Sequence, residues 1–478
     1  MTRADFMNLS QALYAHFGYS EFRSKQENVI KHVMKNGHAL VIMPTGMGKS
    51  ICYQLPALLQ GELTLVISPL IALMKDQVDA LNRKNIDAAF INSSLGKRER
   101  EARYKAVADG EYKLLYVTPE RFRKAEFVEV IRKRNIGLLA VDEAHCISEW
   151  GHDFRPDYTR LYEFRKIVGE PATIALTATA TADVQDDIIK QLGLQNDEVE
   201  VFHEGIERPN LHLDVKDAYG ESGKLNCILE MLKQQSGSGI IYFSLIKTLK
   251  GFSELLFSKK IRHYCYHGDL EPGKRKSVQN SFMKERDALV LATNAFGMGI
   301  DKEDIRFVLH AEIPGSIEEY YQEIGRAGRD GKDAWCWLLY DERDLLIQME
   351  FVKWSNPGAD FYERVYNFLV EDIEQVNGYG LDVLKEKLIF KNRRDYRLET
   401  VLGMFDRYHV TEGRLEHKNL RLVNPLPDQL ADPAYLENKL KREQRKLYSL
   451  VQYVNTDENR KAFIHSYFGI PWEPRDRD

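Results

Sequence analysis

Three short stretches hold the residues whose types and spacing could do chemistry. The first is Met43-Pro44-Thr45-Gly46-Met47-Gly48-Lys49-Ser50, which follows the apolar run 39–42 and opens a helical pattern. Such a loop cradles phosphates: its glycines let backbone N–H groups approach, Lys49 brings a point charge to the β and γ positions, and the Ser50 hydroxyl can hold Mg²⁺. Thr45, Gly46, Met47 and Gly48 form the body of that cradle. The second stretch is Asp142-Glu143-Ala144-His145, at the end of the apolar run 138–141. A carboxylate at the carboxyl end of a parallel strand beside a phosphate loop is placed to hold Mg²⁺ through water. Asp142 is therefore expected as the metal partner, and Glu143 as the group that orients and deprotonates an attacking water. The third stretch, 322–331, sets Arg326 and Arg329 three apart, where the pair can reach across a cleft and neutralise charge developing on a γ-phosphate.

These residues need rigid elements behind them. Between 29 and 194, short apolar runs near Ala39, Leu63, Ala88, Lys113, Leu138 and Thr173 alternate with amphipathic stretches. That alternation predicts a parallel sheet with crossover helices. A second run of the same pattern starts at Gly239-Ile240-Ile241-Tyr242-Phe243 and continues through 261–266, 288–293, 305–310 and 334–340. The break falls around Arg208-Pro209-Asn210 and the polar stretch 216–224, which reads as a linker. The expected fold class is α/β, two parallel-sheet domains followed by a mainly helical carboxyl-terminal region. There, Phe361, Val365, Phe368, Leu369 and Ile373 recur at helical spacing. Further helical patterns start at Leu381 and Arg397, and the Glu412-Gly413 turn predicts a hairpin within 409–423. Helix, helix, hairpin is the order of a winged helix. Two more helices are expected over 435–453 and 458–467, the first made basic by Lys439, Lys441, Arg442, Arg445 and Lys446. Lys391, Arg393, Arg394 and Arg397 form a second basic cluster. The divisions expected are 1–208, 209–345, 346–430 and 431–478.

Composition narrows the class. With 44% hydrophobic and 29% charged residues over 478 positions, a disordered, collagen-like or coiled-coil chain is excluded. A net charge of −5 means that any nucleic-acid surface must be local. Five cysteines scattered singly, with no CxxC pair, signal neither a disulfide framework nor a thiolate metal site. The apolar runs are strand-sized, far below the ~20 residues that span a bilayer, so no membrane association is expected. Met1-Thr2-Arg3-Ala4-Asp5 has no apolar h-region, and a cytoplasmic location is expected.

The order of these motifs resembles that of superfamily 2 helicases, and their details resemble the RecQ family of DNA helicases. Phe17-Gly18-Tyr19 and Phe22-Arg23-Ser24-Lys25-Gln26 are similar to the family's adenine-reading element, which implies Tyr19 over the base and Arg23 and Gln26 at its edge. The stretches 68–77, 116–121, 176–180, 266–270 and 292–302 fall at the family's positions in the family's order. The resemblance implies two RecA-like lobes, ATP and Mg²⁺ as cofactors, His145 and Gln322 in the catalytic set, and Asp301 and Lys302 near ribose and phosphates. Residues 146–156 resemble the family's aromatic-rich loop, which senses single-stranded DNA; Trp150, Phe154 and Arg155 lie in it. Stacking on bases, worth ~1–3 kcal/mol each, would justify exposing Trp150 and Phe154. For Phe154 a place in the core is the competing reading. Ser68, Pro69, Thr118, Thr177, His267 and Thr293 are implied along the DNA backbone, where hydroxyls and helix starts meet phosphates.

The sequence also departs from the family, which carries a zinc subdomain with four cysteines after the second lobe. No Cys lies beyond Cys336, and Asn459 stands where the family has its first Cys. Either the zinc site was lost or the chain is truncated, and no zinc is expected. The resemblance implies an ATP-dependent DNA helicase that moves 3′ to 5′ on single-stranded DNA and serves DNA repair or recombination. Single-stranded and duplex DNA would be its partners, and no protein partner is indicated. Two other readings stand beside it. One is a DNA-stimulated translocase or annealing factor that unwinds weakly. The other is a non-enzymatic nucleic-acid adaptor, against which the intact Lys49, Ser50, Asp142, Glu143, Arg326 and Arg329 count.

Overall fold

The computed structural model describes residues 9–44, 46–148, 158, 160–297, 300, 302–389 and 395–472. Among the described residues, seven strands form a first sheet: β1 (His38–Ile42), β2 (Leu63–Ile67), β3 (Ala88–Ile91), β4 (Leu114–Val117), β5 (Ile136–Val141), β6 (Ala172–Thr177) and β7 (Val199–His203). Their order is β3-β4-β2-β5-β6-β1-β7, every pair parallel. Parallel pairing needs crossovers, and helices on both faces bury the strands twice over. Ala39 and Val41 accordingly join one hydrophobic cluster, while Leu40 and Ile42 join the other on the opposite face. Both sides of β1 must be apolar, which is why it reads as a continuous apolar run.

A second sheet holds β8 (Leu211–Asp217), β9 (Ser238–Tyr242), β10 (Tyr264–Tyr266), β11 (Leu289–Ala292), β12 (Ile305–His310) and β13 (Ala334–Tyr340), in the order β10-β11-β9-β12-β13-β8. The pairs β10 with β11, β11 with β9, β9 with β12 and β12 with β13 are parallel. Its core on one face gathers Ile241, Leu291, Leu309 and Leu339. The strands expected at 39, 63, 88, 113, 138 and 173, and those of the second run, are all present. β7 and β8 are not among the expected strands, and the end of β8 falls within the expected linker. Both are edge strands of their sheets, with residues exposed along much of their length, so neither carries an apolar run. The polar stretch 216–224 likewise contains the end of β8 and the start of the helix Gly220–Gln234.

The described residues divide into two compact units, one drawn from 1–312, 318–339 and 456–478, the other from 313–317 and 340–455. The division expected at 430/431 does not coincide with this one. Leu430 and Leu436, on either side of it, share one core with Phe361, Val365, Leu369 and Phe405, so the helix Pro433–Asn455 belongs with the helices before it. In this second unit the helices Ala359–Tyr379, Leu381–Leu388 and Arg397–Arg407 precede β14 (Thr411–Glu412) and β15 (Arg421–Leu422), an antiparallel pair. The hairpin is thus present, but its strands are two residues long and a 3-10 turn, Leu415–His417, occupies the connection where a tight Glu412-Gly413 turn was expected.

The last helix, Arg460–Tyr467, belongs to the first unit. Phe468 meets the Tyr321 ring edge-on at 5.6 Å, and Lys461 Nζ donates to the Pro209 carbonyl at 3.4 Å. Asn459 caps this helix, its side-chain oxygen accepting from the N–H groups of Lys461 (2.9 Å) and Ala462 (3.3 Å). No described helix is long and apolar enough to cross a membrane. Removing an Asn cap costs about 1 kcal/mol. Asn459→Ala should therefore speed hydrogen exchange of the Lys461 and Ala462 amides several-fold, while Asn459→Asp should leave it near wild type. Exchange unchanged in the Ala variant would show that tertiary packing alone holds the helix end.

Candidate active site

Parallel strands all point one way, so the residues that follow them gather along one edge of the sheet. On the first sheet that edge collects Met43 after β1, Ser68 after β2, Thr118 after β4, Asp142 after β5 and Thr177 at the end of β6. Backbone bonds extend the ladder past the strand ends: the Asp142 N–H donates to the Ile67 carbonyl at 2.8 Å, and the Met43 N–H to the Thr177 carbonyl at 3.1 Å. The phosphate loop and the acidic pair are therefore fixed to the same frame, with β6 between them.

Within the loop, Gly46 and Gly48 take φ of +87° and +78°, a left-handed backbone that side chains oppose. A Cβ on Gly48 would stand 2.8 Å from the Gln26 amide nitrogen, and one on Gly46 would stand 3.3 Å from Arg329 Cγ. The loop is thus wrapped by an amino-terminal residue on one side and by an arginine of the second sheet's domain on the other. Lys49 Nζ donates to the Met43 carbonyl at 3.1 Å. Burial pulls the Lys49 ammonium below its usual pKa, with Glu143 and Asp142 opposing the shift and Arg329 adding to it. Asp142 is pushed up to about 7, first by burial and then by Glu143, against the pull of Lys49 and of the Glu143 N–H that donates to its Oδ1 at 3.0 Å.

Glu143 sits in the left-handed region at φ 48°, a placement that costs an ordinary residue roughly 1–2 kcal/mol. Its Oε2 is buried and accepts no hydrogen bond; His145 Nδ1 lies 3.5 Å away. The same His145 nitrogen is 3.0 Å from Thr177 Oγ1, whose proton goes to the Thr179 carbonyl at 3.0 Å. With the hydroxyl proton so committed, Nδ1–H is the donor of the His145 contact. His145 therefore joins the acidic corner to the end of β6. An acceptor-only oxygen left without a donor, beside a carboxylate whose ionisation burial opposes, is a donor set that suits a divalent cation. Ser50 and Asp142 are the residues that fit it. Among the described residues, no group of three or more His, Cys, Asp or Glu stands together as a metal-ligand set.

The two arginines separate in role. Arg326 is buried and donates to the Gly297 carbonyl within its own domain. Arg329 donates to the Ile300 carbonyl at 2.9 Å and lays its aliphatic stem against Gly46. Only Arg329 of the pair touches the phosphate loop in these contacts. Gln322 is half-buried on the preceding helix Ile317–Ile324.

Of the implied adenine-reading element, Gln26 and Arg23 are bonded to the phosphate loop and Tyr19 stands in solvent. Gln26 is 4% exposed, and its amide nitrogen donates to the carbonyls of Met47 (2.9 Å) and Gly48 (3.0 Å), while its oxygen accepts from the Arg23 N–H at 2.9 Å. Both amide protons are committed, so Gln26 shapes the phosphate loop and offers no donor to a base edge. Arg23 donates to the Gly46 carbonyl at 3.0 Å, and Tyr19 is exposed. Sequence reading missed a further tie: Ser24 Oγ and the Lys25 N–H (2.6 Å) both donate to the Glu204 carboxylate just after β7. Nothing in the pattern around Glu204 signals this, because its partners are distant in sequence.

The residues implied along the DNA backbone stand at the strand ends with their side chains turned inward. Ser68, Thr118, Thr177, His267 and Thr293 are all between 0% and 6% exposed, and Pro69 is buried too. They leave the strand ends directly, where the ladder continues: the Ser68 N–H donates to the Val117 carbonyl and the Thr293 N–H to the Tyr266 carbonyl, each at 3.1 Å. Lys302 is also buried, donating to the Glu285 carbonyl at 2.7 Å and pairing with Asp304 at 2.9 Å instead of reaching toward phosphates. Arg397 of the second basic cluster is held by Asp395, its Nη2 2.6 Å from Oδ2, and stacks on Phe361. On the basic helix, Lys441 pairs with Glu437 and Lys446 with Glu443. Thr45, Trp150, Phe154, Arg155, Asp301, Lys391, Arg393 and Arg394 lie outside the described residues.

Comparison with known proteins adds to this geometry. Residues 23–188 match the DEAD/DEAH box helicase family and residues 223–331 the helicase conserved C-terminal domain. The chain is 44% identical over 352 residues to the ATP-dependent DNA helicase RecQ of Bacillus subtilis, covering 73% of this chain and 59% of that protein. It is 40% identical over 379 residues to the probable ATP-dependent DNA helicase RecS of the same organism, covering 79% and 75%. Against the Haemophilus influenzae RecQ the identity is 43%, covering 69% of this chain and 52% of that one. The chain thus spans between half and three quarters of these relatives. Among solved structures, the DUF1998 helicase MrfA bound to DNA and AMPPNP superposes with a TM-score of 0.59 at 19% identity, over 73% of this chain and 52% of that chain. Mss116p bound to single-stranded RNA and AMP-PNP gives 0.58 at 16%, over 85% and 93%. At those identities the likeness is one of fold.

The acidic corner makes stability depend on pH. Asp142 has its pKa raised on folding, so the folded chain holds a proton that the unfolded chain releases between about pH 4 and pH 7. Stability from this group is complete below that window and falls as pH rises through it. Asp142→Asn, which cannot ionise, should melt higher than wild type at pH 8, and the difference should shrink toward pH 4. Equal melting temperatures across the range would mean that Asp142 is not held against its own charge.

Proposed function

The chain belongs to the RecQ family of superfamily 2 helicases, and on that premise we propose that it is an ATP-dependent DNA helicase with the ATP site built around Lys49, Asp142, Glu143 and Arg329. One observation carries the reading: the stem of Arg329, from the second sheet's domain, lies against Gly46, while beside the same loop Lys49 is held below its usual pKa and Asp142 above its own. Residues 1–208 and 209–345 act as the two RecA-like lobes, so a site shared between them converts nucleotide chemistry into motion of one against the other.

In this reading Lys49 leaves the Met43 carbonyl for the β/γ-phosphates, and the backbone N–H groups of 46–50 hold the phosphate oxygens. Ser50 and Asp142 hold Mg²⁺, which when bound offsets phosphate charge. Glu143, with its unpartnered oxygen, takes the proton from the water that attacks the γ-phosphorus as the bond to ADP breaks. Arg329 neutralises the charge that develops on the γ-phosphate, and Arg326 keeps its turn in place through the Gly297 carbonyl. Single-stranded DNA runs along the carboxyl edges of both sheets, met by backbone N–H groups and helix starts, since the side chains there are buried. Trp150 stacks on a base and couples DNA binding to hydrolysis. By family resemblance, movement is 3′ to 5′ and opens duplex DNA for repair or recombination.

Phosphate release with and without single-stranded DNA, beside strand displacement from substrates with either overhang, tests this. DNA should stimulate hydrolysis, and a 3′ overhang should be unwound; stimulation without displacement would instead favour a translocase or annealing factor. Lys49→Ala should fold and keep less than a few per cent of turnover, the order expected when the main transition-state charge is removed. Glu143→Gln should still bind ATP but not turn it over, and equal loss of both would make Glu143 structural. Trp150→Ala should retain basal hydrolysis and lose its stimulation by DNA. Stimulation unchanged in that variant would remove Trp150 from the DNA interface.

A further inference from the structure

The segment between the two sheets grips the turn that carries both arginines. The helix Ile317–Ile324 stops just before that turn, so the carbonyls that follow have no further helical turn to accept from. Arg208 supplies the donors. Its Nη1 donates to the Gly325 carbonyl at 3.1 Å, and its Nη2 donates to the Ala327 carbonyl and to the Gly328 carbonyl at 3.1 Å. Asn210 continues the grip, donating from Nδ2 to the carbonyls of Gly328 and Lys332, each at 2.8 Å, and accepting from the Ala334 N–H at 2.9 Å. Gly328 takes φ +56°, and a Cβ there would stand 2.4 Å from Asn210 Nδ2 and 2.8 Å from the Lys332 carbonyl, so the approach excludes any side chain. The Tyr321 hydroxyl bonds back to the Ile206 carbonyl at 2.8 Å.

A guanidinium taken out of water needs its N–H groups met, and a helix carboxyl end needs donors and positive charge; here each need answers the other. The carbonyls that Arg208 holds belong to residues 325, 327 and 328, which bracket Arg326 and immediately precede Arg329. We propose that Arg208, with Asn210 behind it, is the positioning residue that sets Arg329 against the phosphate loop, so that the link between the lobes also aims the arginine. Arg208 contacts neither the phosphate loop nor the acidic pair in the bonds above and acts through Arg329. This rests on the reading of the site as one for ATP hydrolysis.

The experiment measures ATP turnover of the full chain at saturating single-stranded DNA, wild type first. A wild type that does not hydrolyse ATP overturns the proposed function itself and is recognised before any variant is compared. Given activity, Arg208→Ala should lower kcat about 10- to 100-fold, the size of effect that a misplacement of about 1 Å produces, with the KM for ATP changed far less. Arg208→Lys keeps the charge without the planar fork and should recover only part of the loss. In an Arg329→Ala background, Arg208→Ala should lower kcat by less than about twofold, since two changes acting through one group do not multiply. Retained kcat in Arg208→Ala overturns the proposal, as do losses that multiply with those of Arg329→Ala or a KM that rises as far as kcat falls. Should Arg208→Ala fail to fold, Asn210→Ala and Arg208→Lys carry the same comparison: a kcat loss that vanishes in the Arg329→Ala background supports the role, and no kcat loss in either overturns it.

Discussion

Two adjacent, half-buried carboxylates at the end of β5 set the terms for the rest of the first unit. Removing an ion from water costs several kcal/mol even after the protein relaxes, and a second like charge beside it adds to that cost. Asp142 shows the result in its raised pKa, and Lys49, the cation that works against that rise, is displaced in the opposite sense. Neither group is comfortable alone. Strand order keeps them together, because β5, β6 and β1 are consecutive neighbours and their ends lie along one edge. The sheet must be buried on both faces to hold that edge rigid, and so its strands are apolar throughout.

The same corner carries strain as well as charge. Glu143 is held in a left-handed backbone by the Asp142 carboxylate that accepts its N–H, and His145 is anchored to the Thr177 hydroxyl at the end of the neighbouring strand. These are contacts between the acidic corner and the β6 end, which also bonds the first residue of the phosphate loop through the Thr177 carbonyl and the Met43 N–H. A shift of the loop is therefore felt at Glu143 through a short chain of bonded groups rather than through space.

What was legible in the sequence follows from how each residue is used. β1 to β6 could be read because burial on both faces demands long apolar runs, and the phosphate loop because its backbone demands glycine at 46 and 48. β7 and β8 could not, since an edge strand satisfies its sheet with half its residues in water. Side-chain roles were less legible than positions. Gln26, Ser68 and Thr177 lie beside the site, yet their polar groups bond to backbone partners that no spacing rule specifies, and the Thr118 and Thr293 side chains are buried with them. Arg208 carried no pattern either, because its partners lie more than a hundred positions away and are carbonyls, which every residue has.

The bonds from Ser24 and Lys25 to Glu204 close the first sheet into a loop of chain whose entrance and exit are fastened together. Lys25 Nζ adds a third fastening at the His203 carbonyl. Residues 205–210 leave from that knot toward the second sheet, so a pull on the crossing is delivered at the knot before it reaches any strand. The knot is one residue from Gln26, whose amide holds two carbonyls of the phosphate loop. The crossing and the phosphate loop are thus joined in series through residues 24 to 26, so slack in either the knot or the amide would loosen both at once.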